Sequence, residues 1–348
     1  MVAMTLKEFR ELIRDHRTVA MLVVMPLLLL VVFGYAANFA VSSLSTAVVG
    51  PAAQSTSETF PGGIFDRTRV EPGRTAADAR DLLRDNVVDV AVVTGSQPPV
   101  VYVDGSNLFA AQAAVGALNR LGDAVTVDVL YNPDLTTAWV MVPAIIGLIL
   151  LFIGTIITSI GLVREREAGT LEQLAVMPIS PAQVIAGKIA PYFLLAAIDM
   201  TIVTILGRVV FDVPFTGNPG VFILGAGLFL VVVLGIGVFI STISQTTGQA
   251  IQTAFFFLIP QILLSGMIFP LEAMSAGVRW IGYLLPLTYF TMLSQGVMLR
   301  GAGIASLWLP LVVLTAMAVA VFTGATLRFR RDLAPAAHRV AAGVGSAS

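Results

Sequence analysis

The densest polar chemistry in this chain lies between two long apolar stretches, in the run Arg164-Glu165-Arg166-Glu167-Ala168-Gly169-Thr170-Leu171-Glu172-Gln173-Leu174, which continues to Pro178, Ile179, Ser180 and Pro181. A loop that only returned the chain would be shorter and less charged. Gly169 interrupts the helical run, and Thr170 with Gln173 three residues later makes a capping-box pattern. The spacing therefore predicts a helix, a sharp break, and a short exposed helix over 171–177, an element shaped to lodge in a cleft of a soluble partner. Catalysis has little to work with. Cysteine is absent, and the two histidines, His16 and His338, lie near opposite ends of the chain. No catalytic residue and no metal-ligating set is expected. Nor is there a phosphate loop: Gly187-Lys188 lacks the preceding glycine and is followed by Ile189, so nothing cradles ATP phosphates. Energy must come from a partner or from a gradient.

Polar residues within the apolar stretches form a second candidate group. Asp199 is the one acid deep in such a stretch, where an unpaired carboxylate is costly and commonly faces a bundle interior. It suits a hydrogen bond between helices, and also a proton relay. Gln252 and Gln261, with Thr155, Thr158 and Ser159, line a polar path or bond helix to helix, and spacing alone does not separate the two.

The elements that position these residues follow from composition. The chain is 57% hydrophobic and 12% charged, with a mean hydropathy of +0.89, against about 25% charged residues in a soluble domain. A net charge of −1 offers no polycationic surface, so no nucleic-acid partner is expected. Crossing the hydrocarbon core takes about 20 mostly apolar residues. Six stretches qualify, at 18–40, 136–163, 189–210, 221–241, 250–270 and 304–327. The expected fold is a mainly α, polytopic membrane protein with six transmembrane helices. Lys7, Arg10, Arg14, Arg17, Arg164 and Arg166 share one side with Lys188 and the cluster Arg328, Arg330, Arg331. By the positive-inside rule that side is cytoplasmic, as are both termini and the tail 328–348.

Three segments lie between or before the spans. Leu6, Phe9, Leu12 and Ile13 recur at helical spacing among charged residues, predicting an interfacial amphipathic helix over 1–17 that contacts membrane lipid. Residues 41–135 have the composition of a soluble domain. Strands are expected at 88–93, 100–103 and 124–130, and helices at 75–86 and 107–121, giving a small extracytoplasmic α/β domain. Over 273–303, two apolar pieces divided by Pro286 are each too short to cross, which predicts a re-entrant helical hairpin before the last span.

The run from Arg164 to Ser180, the outer motif Asp104-Gly105-Ser106-Asn107 and the approach to the second span, Tyr131-Asn132-Pro133-Asp134-Leu135, resemble the permeases of type-2 ATP-binding-cassette exporters. That group includes the daunorubicin-resistance permeases, and the chain resembles its subgroup with a large outer domain between the first two spans. The resemblance covers essentially the whole chain. It implies half of a transmembrane dimer, homomeric or heteromeric, in a bacterial cell membrane, docked to a separately encoded ATPase that holds the ATP and magnesium. The coupling element would then be the loop 164–188. Within it the resemblance points to Arg164, Glu165, Glu167, Gly169 and Thr170, and further on to Glu172, Gln173, Pro178 and Lys188. Outward movement of an amphipathic drug or lipid is the implied function. A proton-coupled carrier using Asp199 and a membrane sensor with an outer ligand-binding domain are the alternatives.

Overall fold

The structure is a computed structural model that describes residues 41, 43–169 and 181–345, with a few isolated positions before them. The expected interfacial helix, with Leu6, Phe9, Leu12 and Ile13, and the expected first span fall outside these segments. The described residues are mainly helical, with one small sheet. Five of their helices are long and apolar enough to cross a membrane.

The sheet belongs to an inserted αβ unit. Its elements run β1 (Leu44–Val49), α1 (Ala53–Thr59), β2 (Phe65–Glu71), α2 (Ala76–Arg84), β3 (Val90–Val93), β4 (Val100–Asp104), α3 (Leu108–Leu118) and β5 (Thr126–Leu130). Strand order is β2-β1-β3-β4-β5, parallel except for the β3–β4 hairpin. Alternation sorts the side chains. Leu44, Val48, Val90, Val92, Val101 and Val103 pack under α3, while Ala47, Val49, Ala91 and Tyr102 pack under α2. A strand buried on both faces reads as an unbroken apolar run, which is why β3 and β4 are nearly all valine. Helix α2 starts at a reciprocal cap: the Thr75 side chain accepts from Asp78 N–H, and the Asp78 side chain accepts from Thr75 N–H.

Sequence patterning misses β1, α1 and β2. The edge strand β2 carries Asp66, Arg67, Arg69 and Glu71 and is largely exposed, so no apolar alternation marks it.

Five long helices form the bundle: α4 (Thr137–Glu167), α5 (Pro181–Phe211), α6 (Pro219–Ile243), α7 (Thr247–Leu264) and, after two short helices, α10 (Trp308–Gly345). Their bounds depart from the hydropathy stretches at several ends. Helix α7 stops at 264 rather than 270, and α10 starts at 308 rather than 304. Helix α5 begins at 181, seven residues ahead of Lys188, because Pro181 at a helix start forfeits an N–H that would be unpaired anyway. A π-helical turn at Ile153–Ile157 interrupts α4.

The two short helices are α8 (Ala276–Gly282) and α9 (Pro286–Met298), with Pro286 at the start of the second. Leu287, Phe290, Leu293 and Val297 of α9 are wholly buried in the bundle core. Phe290 stacks on Phe229 of α6 with ring centroids 4.6 Å apart, worth about 0.5–1.5 kcal/mol beyond the buried area.

Two motifs separated in sequence meet where the αβ unit joins the bundle. Gly105 donates to the Leu130 carbonyl, and Asn132 Nδ2 donates to the Gly105 and Thr136 carbonyls. Any Cβ on Gly105 would lie 2.8 Å from the carbonyl oxygens of both Leu130 and Asn132. Ser106 donates through N and Oγ to Asp104 Oδ1. Arg300, just beyond α9, donates to Ser106 Oγ at 2.8 Å and stands 3.9 Å from Asp104 Oδ2. A second tie joins Ser306 Oγ to Asp85 at 2.6 Å.

Burial pushes the Asp104 carboxyl above its ordinary range, and Arg300 draws it back. An acid raised in the fold keeps a proton that the unfolded chain has lost, so its contribution to stability weakens as pH rises through that interval. Arg300→Met should raise Asp104 further and lower the thermal midpoint of the detergent-purified protein more at pH 8 than at pH 5. A loss of about 3–5 kcal/mol is expected at the higher pH; equal losses at both would contradict the pairing. Gly105→Ala should cost about 1–3 kcal/mol by overpacking, and an unchanged midpoint would show that the joint is looser than described.

Candidate functional site

At the end of the bundle opposite the αβ unit, the last turn of α4 distributes three consecutive charges to three different helices. Successive helical residues point about 100° apart, so Glu165, Arg166 and Glu167 fan outward. Glu165 forms an ion pair with Lys188 of α5. Arg166 donates to the carbonyls of Ser241 at 3.0 Å and Ser244 at 2.8 Å, at the C-terminal end of α6. Glu167 accepts from the N–H and the hydroxyl of Thr247, both at 2.9 Å, at the first residue of α7. Arg164 is exposed.

The signs of these charges match the helix ends they meet. The last carbonyls of a helix lack intrahelical partners and carry partial negative charge, and the first N–H groups carry partial positive charge. Arg166 faces the former and Glu167 the latter. Together they staple the turn between α6 and α7 to the tip of α4. Thr246 caps α7 through Gln249 N–H, and Gln249 Oε1 accepts from Gln245 N–H. Helix α4 itself ends at Gly169, whose φ of 72° and N–H bond to the Arg166 carbonyl close the last turn.

Of the coupling residues expected from sequence, Glu165, Glu167, Gly169 and Lys188 are brought together here, with Arg164 beside them. Thr170, Glu172, Gln173 and Pro178, and the short helix expected over 171–177, lie outside the described residues. Sequence reasoning passed over Arg166, which carries two of the contacts, and Ser241, Ser244 and Thr247, which receive the charges. The polar run Ser241-Thr242-Ile243-Ser244-Gln245-Thr246-Thr247 between two apolar stretches was the available signal.

The polar residues inside the spans differ in their surroundings. Gln261 is fully buried, and its Oε1 accepts from Leu287 N–H, capping α9. Asp199 is half-buried on α5, and its Oδ2 has no hydrogen-bond partner among the described residues. Gln252 is exposed on α7.

If the staple holds as described, Arg166→Met should speed amide hydrogen exchange over 244–250 about tenfold, the consequence of losing hydrogen bonds to a charged group. The αβ unit should be unaffected. Unchanged exchange in the turn would mean that other contacts hold it.

Residues 16–327 match the family model described as ABC-2 family transporter protein. Among known proteins, the probable multidrug ABC transporter permease YbhS of Escherichia coli (strain K12) is 29% identical over 365 residues, spanning 95% of this chain and 97% of that protein. The probable multidrug ABC transporter permease YbhR of the same strain is 27% identical over 343 residues, 89% and 93% of the two chains. The inner membrane transport permease YhhJ is 36% identical over 205 residues, 58% of this chain and 54% of its own. With most of its length matched by the family model, this chain belongs to the ABC-2 family of transporter proteins, as a multi-pass ATP-binding-cassette exporter permease.

Proposed function

We propose that this permease moves an amphipathic drug, lipid or similar compound outward across a bacterial cell membrane, driven by ATP hydrolysis on a separate ATPase subunit that holds the ATP and magnesium. The observation that carries this reading is the staple at the tip of α4. The residues just after it, 170–178, would form the segment that the ATPase moves. Arg166 and Glu167 bind the α6–α7 turn and Glu165 binds α5, so a displacement of that tip carries the adjoining ends of three further helices with it. The π-helical turn at 153–157 breaks the regular ladder halfway along α4 and supplies a point where the helix can yield.

In this reading both termini are cytoplasmic, residues 1–17 form an interfacial helix, and a first span at 18–40 completes six. The αβ unit over 41–135 stands outside the membrane, and α8 and α9 form a re-entrant pair within its outer half. A second permease subunit, identical or not, completes the transport path. The names of YbhR and YbhS support a multidrug substrate range.

Asp199 supports a second reading, coupling to protons, because its Oδ2 is buried with no hydrogen-bond partner among the described residues. Transport that persists in Asp199→Asn without a proton gradient would remove it.

The test is reconstitution with the cognate ATPase in vesicles. Replacing Glu167 and Glu172 by Ala should uncouple the complex. Substrate should no longer stimulate ATP turnover, and efflux should fall by about 5- to 150-fold, the usual span of coupling energies between sites. Efflux and stimulation at the original level would refute the assignment of 164–188 as the coupling element.

A further inference from the structure

Beneath the αβ unit, where it meets α4, α7, α8 and α9, lies a cavity of about 350 Å³, at the lower end of the range for small-molecule sites. The αβ unit contributes the acids Asp66 and Asp89, and the bundle contributes Arg279, Arg300 and the acid Glu272, whose carboxyl burial pushes above its ordinary range. Among the described residues, four of the lining carry donors left without a partner: Arg279 Nε, Arg300 Nε, Ser265 Oγ and Thr291 Oγ1. Ser265, Thr291 and Arg300 are at least 93% buried. Unpaired buried donors are costly, and each calls for an acceptor.

Charge balance points the same way. The Arg279 guanidinium donates to the main-chain carbonyls of Glu272 and Met274, and no carboxylate lies within ion-pair distance of it among the described residues. On the opposite wall, the Asp66 carboxylate makes no hydrogen bond or ion pair within the described residues, while Asp89 is held by Ser45 through N and Oγ. Met141, Met267 and Met292 supply deformable apolar surface next to these groups.

We propose that this cavity binds the head group of a zwitterionic amphiphile, its anionic centre toward Arg279 and Arg300 and its cationic centre toward Asp66 and Asp89. The three methionines receive the first part of the apolar chain. A purely anionic head group satisfies the arginines but meets Asp66 and Asp89, with Glu272 beside Arg279, and a purely cationic one leaves the buried donors empty. Only as a station on the way out does the site rest on the export reading. Binding itself needs neither ATP nor the ATPase.

Titration of the full-length chain, purified in maltoside, with dihexanoylphosphatidylcholine and with dihexanoylphosphatidylglycerol compares the two head-group charges on the same chains. The zwitterionic lipid should bind about tenfold tighter, one charge-assisted contact being worth that much. Arg279→Gln should weaken both lipids. Asp66→Asn, at an exposed position where folding is not at risk, should weaken the zwitterionic lipid and leave the anionic one unchanged or tighter. A sulfobetaine surfactant of similar chain length should compete with the phosphatidylcholine, since the head group rather than the glycerol backbone is recognised. Equal binding of the two lipids, an unaltered preference in Asp66→Asn, or no competition by the sulfobetaine would overturn the proposal. Such a failure leaves ATP-coupled efflux untouched, and a failure of coupling leaves this binding intact.

Discussion

A membrane helix satisfies its own backbone everywhere except at its ends, where the first N–H groups and the last carbonyls have no partner within the helix. Much of the polar chemistry of this permease is spent on those ends. Arg166 meets the carbonyls that close α6, Glu167 the N–H that opens α7, and Gln261 the N–H of Leu287 that opens α9. At the far end of α9, Thr216 donates through N and Oγ1 to the Met298 carbonyl. With only 12% charged residues, a charge placed at a helix end both satisfies that end and binds two elements together.

The same economy links the two ends of the molecule to its function. At one end, three neighbouring charges on the tip of α4 reach α5, α6 and α7, so the ends of four helices are bound together; in the proposed function this is the end that the ATPase drives. At the other, Asp104-Gly105-Ser106 and Asn132 lock the αβ unit to the start of α4, and Arg300 locks it to the end of α9. Helix α4 is continuous between these junctions except for its π-helical turn. A shift at its tip therefore has a covalent route to the αβ unit and to the cavity beneath it.

Hydropathy located the five long apolar helices, and unbroken valine runs located β3 and β4, because each is a continuous apolar run. Elements half in water were harder. The charged edge strand β2 and the Ser/Thr-rich α1 carry no period, and β1 was hidden in the stretch following the first expected span. The charged run at 164–167 was conspicuous as a motif, but its partners were not, since Arg166 meets carbonyls 75 and 78 residues away. Local spacing shows which face of a helix a charge occupies, and only the fold shows which helix end it faces. Arg300 illustrates the same limit: it is a single cation after an apolar piece in sequence, and in the fold it pins Ser106 across 194 residues.

The central claim is that the bond between the tip of α4 and the start of α7 transmits motion. The chain contains no cysteine, so Glu167→Cys with Thr247→Cys introduces a single addressable thiol pair at that bond. In vesicles with the cognate ATPase, substrate-stimulated ATP turnover should be lost in the reduced double variant and restored when a short thiol crosslinker replaces the hydrogen bonds with a covalent link. Full coupling in the reduced variant, or crosslinking that fails to restore it, would contradict the claim.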